Sequence, residues 1–170
     1  MDTSEFDFQA RCRRVQANMI RAGVDYLLVG PSADLFYLIG LQRPQSERLT
    51  QLVIPADGDD IRLLLPAFER ALAAPLASFF ELVTWEETED PVSRLASLIS
   101  NQGRGKCVAV SSKVFVHFAY LIHDKLSGAS FVSGGTSIDP VRMRKEPGEL
   151  ESLVAASEST DRGFVELIKS

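Results

Sequence analysis

His117 and His123 are the two histidines of the chain, and they stand six residues apart within a stretch of helical apolar spacing. Six residues turn a helix by about 240°, so this pair does not share a face as two histidines at i and i+4 around a metal ion would. His123 instead falls near the end of the helix predicted over 113–126, where a positive partial charge is favoured. Gly103-Arg104-Gly105-Lys106 lacks the spacing of a phosphate loop and is followed by Cys107, so it reads as a turn before a strand. Gly134-Gly135-Thr136 likewise reads as a tight turn. Glu86, Glu87, Glu89 and Asp90 are crowded carboxylates, yet an uncompensated acidic run lacks the contrasting environments that separate an acid from a base, and it reads as a solvated connection. No serine has a Gly-x-Ser-x-Gly setting. Cys12 and Cys107 are far apart and in no metal-binding spacing, so they read as buried, reduced thiols. These residues nominate neither a catalytic side chain nor a metal ligand.

The elements that would position any chemistry are legible from periodicity. Phe8, Cys12, Val15 and Met19 form one helical stripe that Gly23 can end, and Asp25 to Val29 is a short apolar run closed by Gly30-Pro31, the pattern of a strand buried on both faces. Ser32 can cap a short helix through Tyr37, with Gly40 as its stop. Gln51 to Pro55 and Ile61 to Leu65 flank an Asp-Gly turn and predict a hairpin. An alanine-rich helix after Pro66 and a strand over Phe79 to Trp85 follow, and then a helix opened by Asp90-Pro91 that Asn101 to Gly105 would stop. Cys107 to Val110 predicts a second buried strand. Ser111 or Ser112 would cap the helix carrying Phe115, Phe118, Ile122 and Leu126, and Phe131-Val132 predicts a last short strand. Strands alternating with helices, plus one hairpin, indicate a mixed sheet with helices on both faces. From Glu146-Pro147 onward a long helix keeps apolar spacing to Ser170, which suggests an edge drawn just past a domain boundary.

With 170 residues, 45% of them apolar, the chain has material for one core. The 18 basic and 23 acidic residues are spread along it, so no basic surface for nucleic acid is implied. No apolar run reaches the roughly 18 residues that a membrane helix needs. The polar, acidic start Met1-Asp2-Thr3-Ser4-Glu5 is unlike a secretory signal, and the expected location is cytoplasmic.

Several segments, in order, resemble the N-terminal domain of the creatinase/prolidase/aminopeptidase P family. The opening helix runs into Met19-Ile20-Arg21-Ala22-Gly23-Val24-Asp25, where that family has a helix, a glycine and a first strand. Pro31-Ser32-Ala33-Asp34-Leu35-Phe36-Tyr37-Leu38-Ile39-Gly40-Leu41 is similar to the family's Asn-x-x-Tyr-Leu-Thr-Gly-Phe, with Asp34 for the asparagine and Ile39 for the threonine. Glu47-Arg48 and Pro66-Ala67-Phe68-Glu69 also resemble it. Val141-Arg142-Met143-Arg144-Lys145-Glu146-Pro147-Gly148-Glu149-Leu150-Glu151 is similar to the Leu-Arg-x-Ile-Lys-Ser-Pro-x-Glu-Ile segment that leads into the catalytic domain.

The resemblance implies a three-layer, ribonuclease H-like α/β domain over residues 1–145, with 146–170 as the linker and first helix of a pita-bread catalytic domain. It implies a parent Xaa-Pro peptidase acting on proline-containing peptides with two divalent cations, manganese or cobalt, that hold a bridging hydroxide. The family's metal ligands all lie in the catalytic domain, so none is carried over, and this part alone is expected to bind no catalytic metal and to hydrolyse nothing. Its implied partners are its own catalytic domain and a second copy in a homodimer, with a share in narrowing access to the active site. By that analogy the loop Gln42 to Arg48 faces the substrate entrance, Arg43 or Arg48 receives a peptide carboxylate and Tyr37 lines the approach. The other reading leaves the arginines as solvated loop charges and Tyr37 in the core. Two other origins are compatible with the same residues: a stand-alone binding or assembly module, and a creatinase-like amidinohydrolase.

Overall fold

The apolar run Tyr26–Val29 forms β1, and in the computed structural model, which describes residues 6–58 and 60–169, it lies inside the sheet. Leu27, Leu28 and Val29 are each 0% exposed. Because side chains alternate across a strand, Leu27 and Val29 enter one apolar cluster and Leu28 enters another on the opposite face. β1 pairs antiparallel with β2 (Gln51–Pro55) and parallel with β5 (Cys107–Val110). β3 (Arg62–Pro66) completes the hairpin with β2, β4 (Glu81–Trp85) lies parallel beyond β3, and β6 (Ser130–Ser133) lies parallel beyond β5. The order is β4-β3-β2-β1-β5-β6. Following these pairings across the sheet, five strands run one way and β2 alone is reversed. The sheet is thus mixed and mostly parallel, with one hairpin, as the sequence predicts.

Three helices cover one face: α1 (Phe8–Ala22), α2 (Ala33–Ile39) and α6 (Gly135–Met143). The stripe of Cys12, Val15 and Met19 is fully buried there, and burial pushes the Cys12 thiol up to about 12, which keeps it protonated. α4 (Pro91–Ser97) and α5 (Val116–Lys125) cover the other face through Leu95, Phe118 and Ile122. The short α3 (Arg70–Ala73) follows β3, and α7 (Pro147–Lys169) closes the described chain with no buried residue. The polar start at residues 1–5, Asp59 of the hairpin turn and the terminal Ser170 lie outside the described residues. Two caps follow the sequence signals, Ser32 accepting from the Leu35 N–H at 3.3 Å and Asp90 from Val92 at 3.0 Å, and Asp7 adds another by accepting from Ala10 at 2.8 Å.

Two local expectations are corrected. Neither Ser111 nor Ser112 caps α5, which begins only at Val116 with Phe115 at its cap position. The Ser111 N–H donates to the Leu28 carbonyl at 2.9 Å, so its backbone still belongs to the β1–β5 ladder, and its hydroxyl is buried without a hydrogen-bond partner. Gly134-Gly135-Thr136 is not a plain turn but the opening of α6, a helix with Pro140 inside it. Packing outweighs the helix-breaking proline there: Ile138 and Val141 are buried against the α1 side, and the Asn18 amide donates to the Ser137 carbonyl at 2.9 Å.

Gly40 stops α2 with φ of 72°, and a Cβ built on it would lie 2.7 Å from Cζ of Phe8 in α1. Backbone strain and this clash act together, so Gly40→Ala is expected to lower stability by about 2 kcal/mol, measured as a shift in the urea midpoint. An unchanged midpoint would show that Phe8 moves aside and that the left-handed turn carries no strain.

Candidate functional site

Ligands of open α/β sheets gather outside the carboxyl ends of parallel strands. In this sheet those ends are Val29, Pro66, Trp85, Val110 and Ser133, and because β2 is reversed, the arm 41–50 must travel to the same edge before β2 begins. The arm is pinned by the Trp85 indole, which donates to the Leu49 carbonyl at 2.9 Å, and by Gln45, which donates to the Lys113 carbonyl.

Arg43 and Arg48 are brought together on this arm. Arg43 forms an ion pair with Glu69, just past β3, with side-chain exposures of 13% and 10%. Nε and Nη1 of Arg43 and Oε2 of Glu69 are buried without a hydrogen-bond partner. The pair is thus closed in and only partly satisfied, which ties the arm to the end of β3. Arg48 is more open: Nε donates to Glu87 at 2.7 Å, Nη1 to Glu47 at 2.6 Å, and the guanidinium lies 5.3 Å from the centre of the Phe68 ring. Glu87, with Glu47 and Glu69 behind it, raises the Arg48 pKa. Phe68 is 63% exposed, so cation and aromatic face form a surface able to hold both a charged and an apolar group. Phe68 and Glu69 carry no role in the sequence alone; two arginines sharing one loop, with an acidic residue just after the hairpin that follows it, are the signal that points to them.

Tyr37 stands elsewhere. It is 7% exposed, its hydroxyl donates to the Val141 carbonyl at 3.3 Å, and the Arg11 guanidinium lies 4.1 Å from its ring centre. This is the joint between the domain and α7. Arg11, itself buried, donates to Glu146 at 2.6 Å through Nη2 and at 3.0 Å through Nε, and Arg14 donates to the other oxygen of the same carboxylate. Arg142 pairs with the buried Asp34. Burial by itself would raise the Glu146 carboxyl, but the hydrogen bonds from Arg11 and Arg14 outweigh it and hold the group below the ordinary glutamate value. Arg11 falls on the apolar stripe of α1, three residues after Phe8 and four before Val15, and a base on such a stripe is itself a signal for a buried partner.

Among the described residues no three His, Cys, Asp or Glu side chains converge as a metal site. His117 packs beside Phe118 and His123 beside Phe131. The described residues offer no donor set for the pair of cations that the resemblance assigns to the catalytic domain. Among the described residues, too, no helix is long and apolar enough to cross a membrane.

Comparison with known proteins agrees with the fold. The family model for the Creatinase/Prolidase N-terminal domain matches residues 11–144. A probable dipeptidase PepE of Mycobacterium tuberculosis is 30% identical over 169 residues, a match covering 95% of this chain and 44% of that protein. The crystal structure of dipeptidase PepE from Mycobacterium ulcerans superposes with a TM-score of 0.87 at 28% identity, covering 95% of this chain and 44% of the other. The Creatinase/Prolidase N-terminal domain of an X-Pro dipeptidase from Streptococcus pyogenes shares the fold, with a TM-score of 0.64 at 19% identity, over 73% of this chain and 92% of that one. The chain spans less than half the length of the curated relatives it matches.

Two outcomes follow from the ion pairs. Glu69→Ala strands Arg43 in a buried setting and is expected to cost about 3 kcal/mol in urea unfolding, several times what an exposed pair would cost. The Glu146 clasp contributes its stability above the ordinary glutamate pKa of 4.5 and loses it as pH falls through the lower folded value. The midpoint gap between wild type and Glu146→Gln should therefore be widest above that pH and shrink in acid. A gap constant with pH would show that the Glu146 charge does not hold the joint.

Proposed function

Because this chain belongs to the Creatinase/Prolidase N-terminal domain family, we propose that it acts as the accessory domain of a metal-dependent Xaa-Pro peptidase, contributing to oligomerisation and substrate access while the chemistry resides in a joined catalytic domain. The observation that carries this reading is α7. Leu150, Leu153, Val154, Phe164 and Ile168 lie on one side of that helix and are 51 to 68% exposed, while its first turn is locked to α1 through Glu146. A helix fixed at its base, with an uncovered apolar stripe, is built to carry a further packed body.

In this reading the two divalent cations, manganese or cobalt, belong to the catalytic domain, and the substrates are proline-containing peptides. Arg48, beside the exposed Phe68, faces the entrance and takes the peptide's terminal carboxylate, Arg43 is held behind it by Glu69, and Tyr37 holds the joint that aims the two bodies at one another. The protein works as a homodimer in the cytoplasm, a location in keeping with two free cysteines.

Hydrolysis of an Xaa-Pro dipeptide with added manganese tests the reading. The 170-residue chain alone should be inactive, and the protein joined to its catalytic domain active. In the active protein Arg48→Ala should raise KM for the dipeptide roughly tenfold with little change in kcat, as loss of ground-state carboxylate binding requires. Turnover by the chain alone would place the chemistry in this domain and overturn the proposal. An unchanged KM would remove Arg48 from the entrance.

A further inference from the structure

One wall of the domain gathers positive charge that the folded chain does not neutralise. Ala17, Asn18 and Arg21 follow Arg14 at three, four and seven residues, so the four share one stripe of α1, beside the stripe that is buried. The segment that leaves α6, Arg144-Lys145-Glu146-Pro147, lies across from it. Between them opens a cleft of about 600 Å³ whose charged lining is four bases, Arg14, Arg21, Arg144 and Lys145, and a single acid, Glu146. This surplus stands in a chain whose net charge is −5.

Helix ends account for only part of it. A base in a last turn answers the negative end of a helix dipole, and Arg21 in α1 and Arg142 in α6 hold that position. Arg14 stands in the middle of α1, and Arg144 and Lys145 come after α6 has ended. Arg14 is paired with Glu146 and is still 47% exposed. Among the described residues Arg21, Arg144 and Lys145 form no ion pair; Arg21 donates to the Asn18 side chain and Lys145 to the Arg142 carbonyl, contacts that leave both charges uncompensated. Like charges collected on one wall repel one another and oppose folding, so their convergence asks for an anion.

We propose that this cleft binds a small polyanion, a compact ligand with three or more negative charges such as a di- or triphosphate group. The planar forks of Arg21 and Arg144 match phosphate or carboxylate oxygens in pairs, and Lys145 adds a point charge. The volume falls within the roughly 300 to 1,000 Å³ of small-molecule sites, and Pro140 and Pro147 supply apolar walls for an uncharged remainder. Binding also reaches the joint. Arg14 serves both the cleft and the Glu146 clasp, so a bound anion competes with Glu146 for the same guanidinium and loosens the contact that fixes the start of α7. None of this depends on the peptidase reading.

Calorimetric titration of the 170-residue chain with tripolyphosphate and, separately, with citrate, at constant ionic strength, tests the site. One saturable site is expected for at least one of them, and the tighter of the two tells phosphate from carboxylate ligands. Arg144→Ala and Lys145→Ala should each weaken binding roughly tenfold, whereas Lys113→Ala, which removes the same charge outside the cleft, should leave it within about twofold. Glu146→Gln removes the competing carboxylate and should tighten binding several-fold; an unchanged affinity would overturn the competition for Arg14. No saturable binding of either anion would overturn the proposal, and so would an equal loss in Lys113→Ala, the mark of general charge attraction. A site present in this chain but lost when the catalytic domain is joined to it would show that the basic wall receives that domain, and would overturn the proposal as well.

Discussion

The burial of β1 on both faces is the constraint from which the rest of the domain follows. Leu27 and Val29 press against α1, α2 and α6, Leu28 presses toward α4 and α5, and each is fully removed from water. Burying such a side chain contributes about 1.5 to 3 kcal/mol, but only if helices cover both faces at once. The three-layer form is the way this one strand is satisfied. The backbone of β1 is satisfied laterally, by β2 on one side and β5 on the other.

One antiparallel neighbour in an otherwise parallel sheet decides where the charges of the arm meet their partners. A chain that reverses β2 must first return to the carboxyl edge, and the arm 41–50 is that return. It lands where the parallel strands end, so Arg43 meets Glu69 and Arg48 meets Glu87 without any special device. The partly unsatisfied Arg43–Glu69 pair is an expensive arrangement for a purely structural role, since well-packed apolar residues would do as well.

A second set of charges defines the joint with α7. Arg11, Arg14, Tyr37, Asp34, Arg142 and Glu146 come from helices α1, α2 and α6 and from the entry to α7, and they interlock through charge-assisted hydrogen bonds. Segments 31–41 and 141–151, the two stretches that most resemble the family, meet here: Asp34 holds Arg142, and Tyr37 holds Val141. Their resemblance thus has a mechanical content, because they fix the direction in which α7 leaves the domain.

Much of this was written in local pattern. The α1 stripe, the apolar run of β1, the Asp-Gly hairpin and the caps at Ser32 and Asp90 are each decided by residues within a few positions of one another, and short-range sterics and hydrogen bonding suffice to read them. α6 was not legible, because its glycines and Pro140 argue against a helix and only burial of Ile138 and Val141 against a distant element outweighs them. The roles of the candidate residues were not legible either. Arg43, Arg48 and Tyr37 look alike in sequence as polar members of one neighbourhood, yet the fold sends the arginines to the strand ends and folds Tyr37 under Arg11. The partners that decide this, Glu69, Glu87, Val141 and Glu146, are tens of residues away, and no periodicity records which distant backbone will close around a side chain. The sequence by itself determined most of the elements and their family; the tertiary structure decided α6, which charges are paired, which are buried and which face outward, because those depend on contacts that exist only once the sheet has been assembled.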